Sequence, residues 1–224
     1  MSLQALIFDF DGTLVDSMGR FFPSWNMAGA KFGISVTEAA FYSYAGLPLP
    51  EIVRILHREQ LGGEADAAFV AAFLEAKCKA HEEYEQQVGP PPVIESVKRL
   101  ATQAEESGVP IAIATSGLWQ HVEGHIKHNR LEGLFSRSRG NVVCAAEVQR
   151  GKPEPDIYLE AARRVGADPR FCRAYEDGES GLISAYRAGC HVIDVTYMDE
   201  YPLVEGLRIA KKKAQAERDW LDDK

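Results

Sequence analysis

Cysteine is scarce in this sequence, and the few cysteines lie far apart. The chain has four, Cys78, Cys144, Cys172 and Cys190, and no two of them form a C-x-x-C pair. This spacing argues against a zinc site and against a disulfide framework. We therefore interpret them as reduced thiols that serve as small hydrophobic side chains.

Long apolar runs are also missing. No run approaches the roughly 20 residues that span a bilayer. Asp9 and Asp11 interrupt the apolar stretch near the start of the chain, so this stretch does not resemble a signal peptide. We expect a soluble, cytoplasmic protein with no membrane partner, and an organellar targeting segment ahead of Met1 stays an open alternative.

Positive charge is in the minority. The chain has 25 Lys and Arg against 33 Asp and Glu, which gives a formal net charge of −8. Such a surface repels polyanions, so we expect no nucleic-acid partner. Hydrophobic residues make up 46% of the 224 residues, as in ordinary soluble globular proteins. This length predicts one large domain or a domain that carries an insertion.

The order of the expected elements indicates an α/β protein. The apolar residues 5–8 predict a buried strand, whereas residues 18–88 are rich in helix formers and predict four or five helices. The run Gly89-Pro90-Pro91-Pro92 then breaks the chain. Beyond it we predict strands at 111–114, 142–145, 173–175 and 191–195, alternating with helices at 96–107, 118–130, 155–166 and 181–188, and a charged, exposed helix at 205–224.

Alternating strands and helices imply right-handed crossovers and a parallel sheet that is covered on both faces. We therefore predict a Rossmann-like, doubly wound core built from residues 1–16 and 89–224, with residues 17–88 as an inserted helical domain. Ligands of such sheets bind beyond the carboxyl ends of the strands, so the polar residues that follow each strand are the candidate site.

The most informative stretch is DFDGTLVDS, which begins at Asp9, directly after the first predicted strand. Asp9 and Asp11 are two positions apart, and this spacing on an extended segment sends both carboxylates to one side. Two neighbouring carboxylates repel each other unless a proton or a cation separates them. A hard cation with oxygen ligands, usually Mg²⁺, explains the pair. The alternative is an ordinary Asp-Gly turn.

Three further polar clusters follow predicted strands or precede helices. Thr115-Ser116-Gly117 offers hydroxyls and amides that suit a phosphate oxygen, or it is a simple helix N-cap. Lys152 stands between Gly151 and a proline and can neutralise a phosphate, unless it is a solvated surface lysine. Glu176-Asp177-Gly178 repeats the pattern of a strand that ends in acids. One acid is expected to reach a metal directly, and the other to bind it or to act through water or an indirect contact.

Taken in order, the motifs DxDGT, TSG, KP and EDGxxG resemble those of the haloacid dehalogenase-like superfamily, and the match extends over nearly the whole chain. The helical insertion after the first motif resembles the α-helical cap of the subgroup that contains β-phosphoglucomutase, phosphoglycolate phosphatase and sugar-phosphate phosphatases. The resemblance implies a small phosphorylated metabolite as substrate and Mg²⁺ as cofactor. We expect a monomer or a weak dimer.

The resemblance also implies a role for each motif. Asp9 is the position of a nucleophile that forms an aspartyl-phosphate, and Asp11 that of a general acid and base. Lys152 is both catalytic and phosphate-binding. The implied metal ligands are Asp9, the main-chain carbonyl of Asp11, Asp177 and the nearby Glu176. The implied phosphate-binding residues are Phe10, Thr115, Ser116 and Lys152. The presence of an acid at Asp11 favours phosphatase chemistry over dehalogenation.

A phosphatase that acts on small phosphate monoesters is our first hypothesis, and a phosphosugar mutase is the second. The hinge histidine of β-phosphoglucomutase aligns with Phe21, and residues 46–49 lack the charged residue of its cap loop, which favours hydrolysis. Lys79 aligns with a cap lysine of the mutase, and Lys77 lies close to it. Phosphonatases need a cap lysine that forms a Schiff base, and either residue could be nominated for that role, although nothing in the sequence marks one. The third hypothesis is a binding protein that has lost catalysis.

Two other groups invite alternatives. His121, His125 and His128 have helical spacing that mimics a metal site, but we interpret them as one exposed face of a helix. Aromatic residues of the insertion, such as Trp25 and Tyr42, either line a substrate pocket or pack the helices together.

Overall fold

The computed structural model describes residues 2–44 and 47–219. Gly46, which belongs to the segment 46–49 compared with the mutase loop, and residues 220–224 of the expected C-terminal helix lie outside the described residues. The strands are β1 Ala5–Phe8, β2 Ile111–Thr115, β3 Val142–Cys144, β4 Cys172–Glu176 and β5 His191–Asp194. The helices are α1 Met18–Gly29, α2 Glu38–Ser43, α3 Leu49–Gln60, α4 Ala67–Val88, α5 Glu95–Glu106, α6 Trp119–His128, α7 Asp156–Arg164, α8 Glu179–Arg187 and α9 Glu205–Asp219.

All five strands form one parallel sheet in the order β3-β2-β1-β4-β5. The chain starts in the middle at β1, moves outward through β2 and β3, and returns to the other side of β1 for β4 and β5. The turning point lies beside β1, where open α/β sheets bind their ligands. The predicted α/β class with a doubly wound parallel sheet is confirmed.

Alternating side chains of β1 enter two separate apolar layers. Leu6 and Phe8 point to the layer that includes α5 and α6, whereas Ala5 and Ile7 point to the layer of α7 and α8. This is the two-residue period of a strand that is buried on both faces. The result is a rigid central strand whose carboxyl end carries Asp9.

The chain divides into two compact units, one of residues 1–17 and 90–202 and the other of residues 18–89 and 203–224. The second unit contains α1 to α4, four helices as expected for the insertion, and also α9. Its interior is aromatic: Trp25 lies 5.7 Å from Phe73 between ring centroids, and Phe32 lies 5.2 Å from Phe73. Trp25 and Tyr42 are buried, so they pack this unit.

The C-terminal helix differs from the expectation of an exposed element of the core. Leu207 and Ala210 are buried on one face of α9, and the backbone amide of Gly206 donates to Glu38 Oε2 of α2 at 3.1 Å. A Cβ atom at position 206 would lie 2.4 Å from Glu38 Cγ, so glycine permits this close packing. The apolar face is the physical reason that α9 belongs to the helical unit. None of the helices in the described ranges is both long and apolar enough to cross a membrane.

Candidate active site

The end of β1 delivers Asp9 into a buried position. The amide of Asp9 donates to the carbonyl of Tyr175 at 2.9 Å, which extends the pairing of β1 with β4 by one residue. Asp9 is only 6% exposed. The next side chain, Phe10, turns the other way and is fully buried in the core. The side chain of Phe10 therefore packs in the core and not beside Asp9.

A tight turn after β1 positions Asp11. Gly12 has a φ of +83°, a conformation that favours glycine, and its carbonyl accepts a hydrogen bond from the hydroxyl of Tyr201 at 2.6 Å. The Ser17 hydroxyl donates to Asp11 Oδ1 at 2.6 Å. Asp11 is half-buried, and the Ser17 hydroxyl orients its carboxylate.

The loop after β2 lies against this turn. The Thr115 hydroxyl accepts a hydrogen bond from the amide of Gly117 at 2.9 Å, which closes the loop on itself. A Cβ atom at Gly117 would lie 3.4 Å from Asp11 Oδ2, so the first and second motifs are neighbours. Ser116 is exposed. Leu118 is the N-cap residue of α6 and makes no side-chain cap, so neither Thr115 nor Ser116 serves as that cap.

Lys152 is not a surface lysine. Its side chain is only 6% exposed, and its ammonium donates to Asp9 Oδ1 at 2.5 Å and to Glu176 Oε1 at 2.6 Å. The turn that carries it contains a cis peptide before Pro153 and is tied to α8 by the Ser184 hydroxyl, which donates to the carbonyl of Glu154 at 2.6 Å. Lys152 therefore joins the first and the last motif.

The two acids after β4 have different partners. Glu176 Oε1 accepts hydrogen bonds from Lys152 and from the Tyr158 hydroxyl, the latter at 2.8 Å. Glu176 Oε2 accepts from the backbone amides of Asp177 and Gly178, at 3.1 and 3.4 Å. Asp177 Oδ1 accepts instead from the Thr13 hydroxyl at 3.3 Å. The adjacent acids face different groups, as strand alternation predicts.

The electrostatics of this cluster leave it rich in negative charge. Burial raises the pKa of Asp9, and the neighbouring carboxylates of Glu176 and Asp177 raise it further, against the opposing effect of Lys152. Burial lowers the pKa of Lys152, but the carboxylates of Asp9 and Glu176 outweigh it and raise that pKa above its ordinary value. Burial, with the charge of Glu176, also raises the pKa of Tyr158 well above its ordinary value.

The donor set fits a hard divalent cation. Asp9, Glu176 and Asp177 each offer a carboxylate oxygen, and these oxygens lie within 4.8 Å of one another. Three carboxylates face one ammonium, so a divalent cation would balance the charge, and oxygen is the ligand that such ions prefer. The Asp11 side chain is not part of this group. Within residues 2–44 and 47–219 the three histidines of α6 form no comparable group.

Sequence reasoning missed two tyrosines of this region. The hydroxyl of Tyr158 contacts Glu176, and that of Tyr201 contacts the Gly12 carbonyl. The helical spacing of α7 indicates only packing for Tyr158, and Tyr201 lies between β5 and α9, where no periodic pattern applies. Their signal was the hydroxyl itself, because a buried hydroxyl needs a partner, but the sequence does not say which partner it finds.

Comparisons with known proteins agree with this geometry. Residues 6–195 match the family model of haloacid dehalogenase-like hydrolases. The chain is 30% identical over 202 residues to hexitol phosphatase A of Escherichia coli (strain K12), covering 90% of this chain and 87% of that protein. It is 27% identical over 190 residues to fructose-1-phosphate phosphatase YqaB of the same organism, covering 85% of this chain and 95% of that protein.

A solved structure shows the same fold. The putative β-phosphoglucomutase of Bacteroides vulgatus superposes with a TM-score of 0.71 at 22% identity, covering 97% of this chain and 90% of that chain. The relatives named as phosphatases support a phosphoric monoester hydrolase. The resemblance inferred from the motifs is confirmed, and the chain belongs to the haloacid dehalogenase-like hydrolase family.

Proposed function

We propose that this protein is a Mg²⁺-dependent phosphatase that hydrolyses small organic phosphate monoesters, such as sugar phosphates or a phosphoglycolate-like ester, through an aspartyl-phosphate. One observation carries the proposal: the Lys152 ammonium bridges Asp9 and Glu176 in a buried acidic site at the end of the central strand. A buried acid beside a fixed ammonium is the arrangement that an anionic substrate and a carboxylate nucleophile require.

In the first step an oxygen of Asp9 attacks phosphorus. The bond between phosphorus and the ester oxygen breaks, and the Asp11 carboxyl gives its proton to the departing alkoxide, so the alcohol leaves neutral. In the second step Asp11 takes a proton from water, the water oxygen attacks phosphorus, and the bond from phosphorus to Asp9 breaks. Inorganic phosphate is released, and both carboxyl groups return to their starting states.

The other residues hold the phosphoryl group and the acid in position. Lys152 and the hydroxyls of Thr115 and Ser116 would contact phosphoryl oxygens, while Ser17 orients Asp11 through its 2.6 Å hydrogen bond. Asp9 and Asp177 would hold Mg²⁺, with Glu176 nearby, and the bound ion would supply positive charge that favours ionised Asp9. Because Glu176 already accepts from four donors, we infer that it positions Lys152 more than it binds the metal.

Hydrolysis is favoured over the mutase alternative by the helical unit. Phe21 stands where a mutase would carry its hinge histidine, and its ring packs 4.9 Å from His81 and 5.0 Å from the Lys77 ammonium. It therefore fills an aromatic and cationic cluster and offers no proton. Lys77 is buried and Lys79 is exposed. The names of the two relatives, hexitol phosphatase A and fructose-1-phosphate phosphatase, support testing hexitol phosphates and fructose 1-phosphate first.

A phosphate-release screen tests the proposal. The panel contains hexitol phosphates, fructose 1-phosphate, phosphoglycolate, nucleotides and pyrophosphate, each with Mg²⁺ and with a chelator. We expect release from at least one sugar or polyol phosphate with Mg²⁺ only. Asp9→Asn is expected to reduce it by about a thousandfold or more, whereas Asp199→Asn, which removes an exposed acid, leaves it unchanged.

Three outcomes separate the hypotheses. When the protein is denatured during turnover of an ester that is radiolabelled in its phosphoryl group, the wild-type protein should retain label as an aspartyl-phosphate. The Asp9→Asn protein should retain none. Isomerisation that needs a bisphosphate primer and releases little phosphate would favour the mutase. No hydrolysis of any ester on the panel would favour a binding protein.

A further inference from the structure

Tyr158 is a buried residue of α7 that the mechanism above leaves without a task. It is fully buried, and its hydroxyl donates to Glu176 Oε1 at 2.8 Å. The same oxygen accepts from the Lys152 ammonium at 2.6 Å, and that ammonium lies 5.3 Å from the centre of the Tyr158 ring. Tyr158 therefore contacts both partners of the ion pair that reaches Asp9.

Packing alone does not explain the hydroxyl. A phenylalanine would fill the same volume without placing a polar group in the core, where an unsatisfied hydroxyl is costly. The Tyr158 hydroxyl donates to Glu176 Oε1 and so fills one of the hydrogen-bond acceptor positions of this oxygen. Glu176 Oε2 is fixed at the same time by two backbone amides, so the carboxylate is held at both oxygens.

Holding Glu176 determines where the Lys152 ammonium lies. The ammonium is shared between Asp9 and Glu176 over distances of 2.5 and 2.6 Å, so a small change in Glu176 shifts it from one carboxylate to the other. Without the tyrosine hydroxyl, Oε1 has one donor fewer and attracts the ammonium more strongly. Lys152 would then move away from the Asp9 carboxylate, which carries the phosphoryl group in the proposed reaction.

We propose that Tyr158 is a positioning residue: its hydroxyl holds Glu176 so that Lys152 is aimed at the phosphoryl group as it transfers to Asp9. This inference rests on the proposed function. It predicts an effect that is larger in the transition state than in the ground state, because the charge that Lys152 faces develops during transfer.

The test is Tyr158→Phe, with Tyr175→Phe as the matched control. Tyr175 is also a buried tyrosine, directly precedes Glu176, and stacks on Phe8 at 5.0 Å, but its hydroxyl makes no bond to Glu176 among the hydrogen bonds of the described residues. We expect Tyr158→Phe to lower kcat about tenfold, near the lower end for a hydrogen bond to a charged group. KM should change less than about threefold. Tyr175→Phe is expected to keep wild-type kinetics.

Equilibrium binding supplies a second readout. Orthovanadate mimics the transferring phosphoryl group, and we expect its dissociation constant for Tyr158→Phe, measured calorimetrically with Mg²⁺, to rise by about the same factor by which kcat falls. Binding of inorganic phosphate should change much less. Replacing Tyr158 by 4-aminophenylalanine, which keeps a donor at the same place, should restore most of the activity.

The results separate this inference from the proposed function. A wild type that neither hydrolyses a panel ester nor binds vanadate refutes the proposed function. An active wild type with Tyr158→Phe equal to it in kcat and in vanadate affinity refutes the role of Tyr158 alone. Equal losses in the two phenylalanine variants would assign Tyr158 to stability and overturn the inference. The inference would also be overturned if Tyr158→Phe does not fold and the 4-aminophenylalanine protein is inactive as well.

Discussion

Gly181 lies against the carboxylate of Glu176, and replacing it by alanine tests the geometry of the site most directly. A Cβ atom at position 181 would lie 1.8 Å from Glu176 Oε1 and 2.0 Å from Cδ. Atoms that are not bonded do not approach this closely, so the carboxylate must retreat by more than ~1 Å, an overpacking that costs about 1–3 kcal/mol. The Glu176 carboxylate cannot move without stretching its bonds to Lys152 and Tyr158.

The preference of a helix for alanine over glycine opposes this loss of stability. Gly181 is in α8, and alanine is favoured over glycine in a helix by about 1 kcal/mol. Weakening one buried hydrogen bond to a charged group costs about 1.5–3 kcal/mol. The losses exceed the gain, and we expect Gly181→Ala to lower the free energy of unfolding by about 1.5–5 kcal/mol. Phosphate release should fall at least tenfold, because Lys152 shifts with Glu176.

Gly124→Ala is the matched control. Gly124 lies within α6, is exposed, and has no atom within 4 Å of an added Cβ. The same substitution there brings only the helical gain, so the free energy of unfolding should rise by up to about 1 kcal/mol with unchanged activity. Thermal unfolding and a phosphate-release assay of both variants provide the comparison. A Gly181→Ala protein as stable and active as Gly124→Ala would refute the placement of Glu176 against α8.

Three further predictions concern other regions. Ser17→Ala removes the hydrogen bond that orients Asp11; we expect kcat to fall about tenfold, and unchanged kcat would exclude this role. Phe73→Ala opens the aromatic interior of the helical unit, where Phe73 is fully buried. Its unfolding free energy, from denaturant titration, should fall by about 3–5 kcal/mol, and a loss under 1 kcal/mol would contradict the packing. Cys78 is the exposed thiol, whereas burial raises the pKa of the other three to about 11 or 12. At pH 8 a thiol reagent should therefore label native wild-type protein at Cys78 and leave native Cys78→Ser unlabelled. The buried thiols should react when the pH rises or the protein unfolds.

The parts of the fold that depend on local pattern were predictable from sequence. Asp9, Thr115 and Glu176 each follow a predicted strand, and parallel strands bring their carboxyl ends to one edge. The sequence alone therefore implies that these three residues lie close together at that edge. Alternation along a strand also implies that Phe10 points away from Asp9, and its burial in the core agrees. The resemblance alone had named Phe10 as a phosphate-binding residue.

The parts that depend on contacts distant in sequence could not be predicted in this way. The charged surface of α9 suggested an exposed helix, and nothing in its sequence indicates that Leu207 and Ala210 are buried or that Gly206 packs against Glu38 of α2. The Tyr158 hydroxyl is a similar case. Position 158 lies on the buried face of α7, and helical periodicity places the ring there equally well with or without the oxygen. Only the three-dimensional position of Glu176 gives the oxygen a task.

The site is supported from two sides that share few atoms. On one side, α7 and α8 hold Glu176 through Tyr158 and through the space at Gly181, and Glu176 holds Lys152. On the other side, Ser17 orients Asp11 within the turn after β1. Substitutions that act through Glu176 remove parts of one hydrogen-bonded group, so their effects on kcat overlap and do not add. A change at Ser17 acts on the acid and not on the ammonium, and its effect therefore combines independently with a change on the other side.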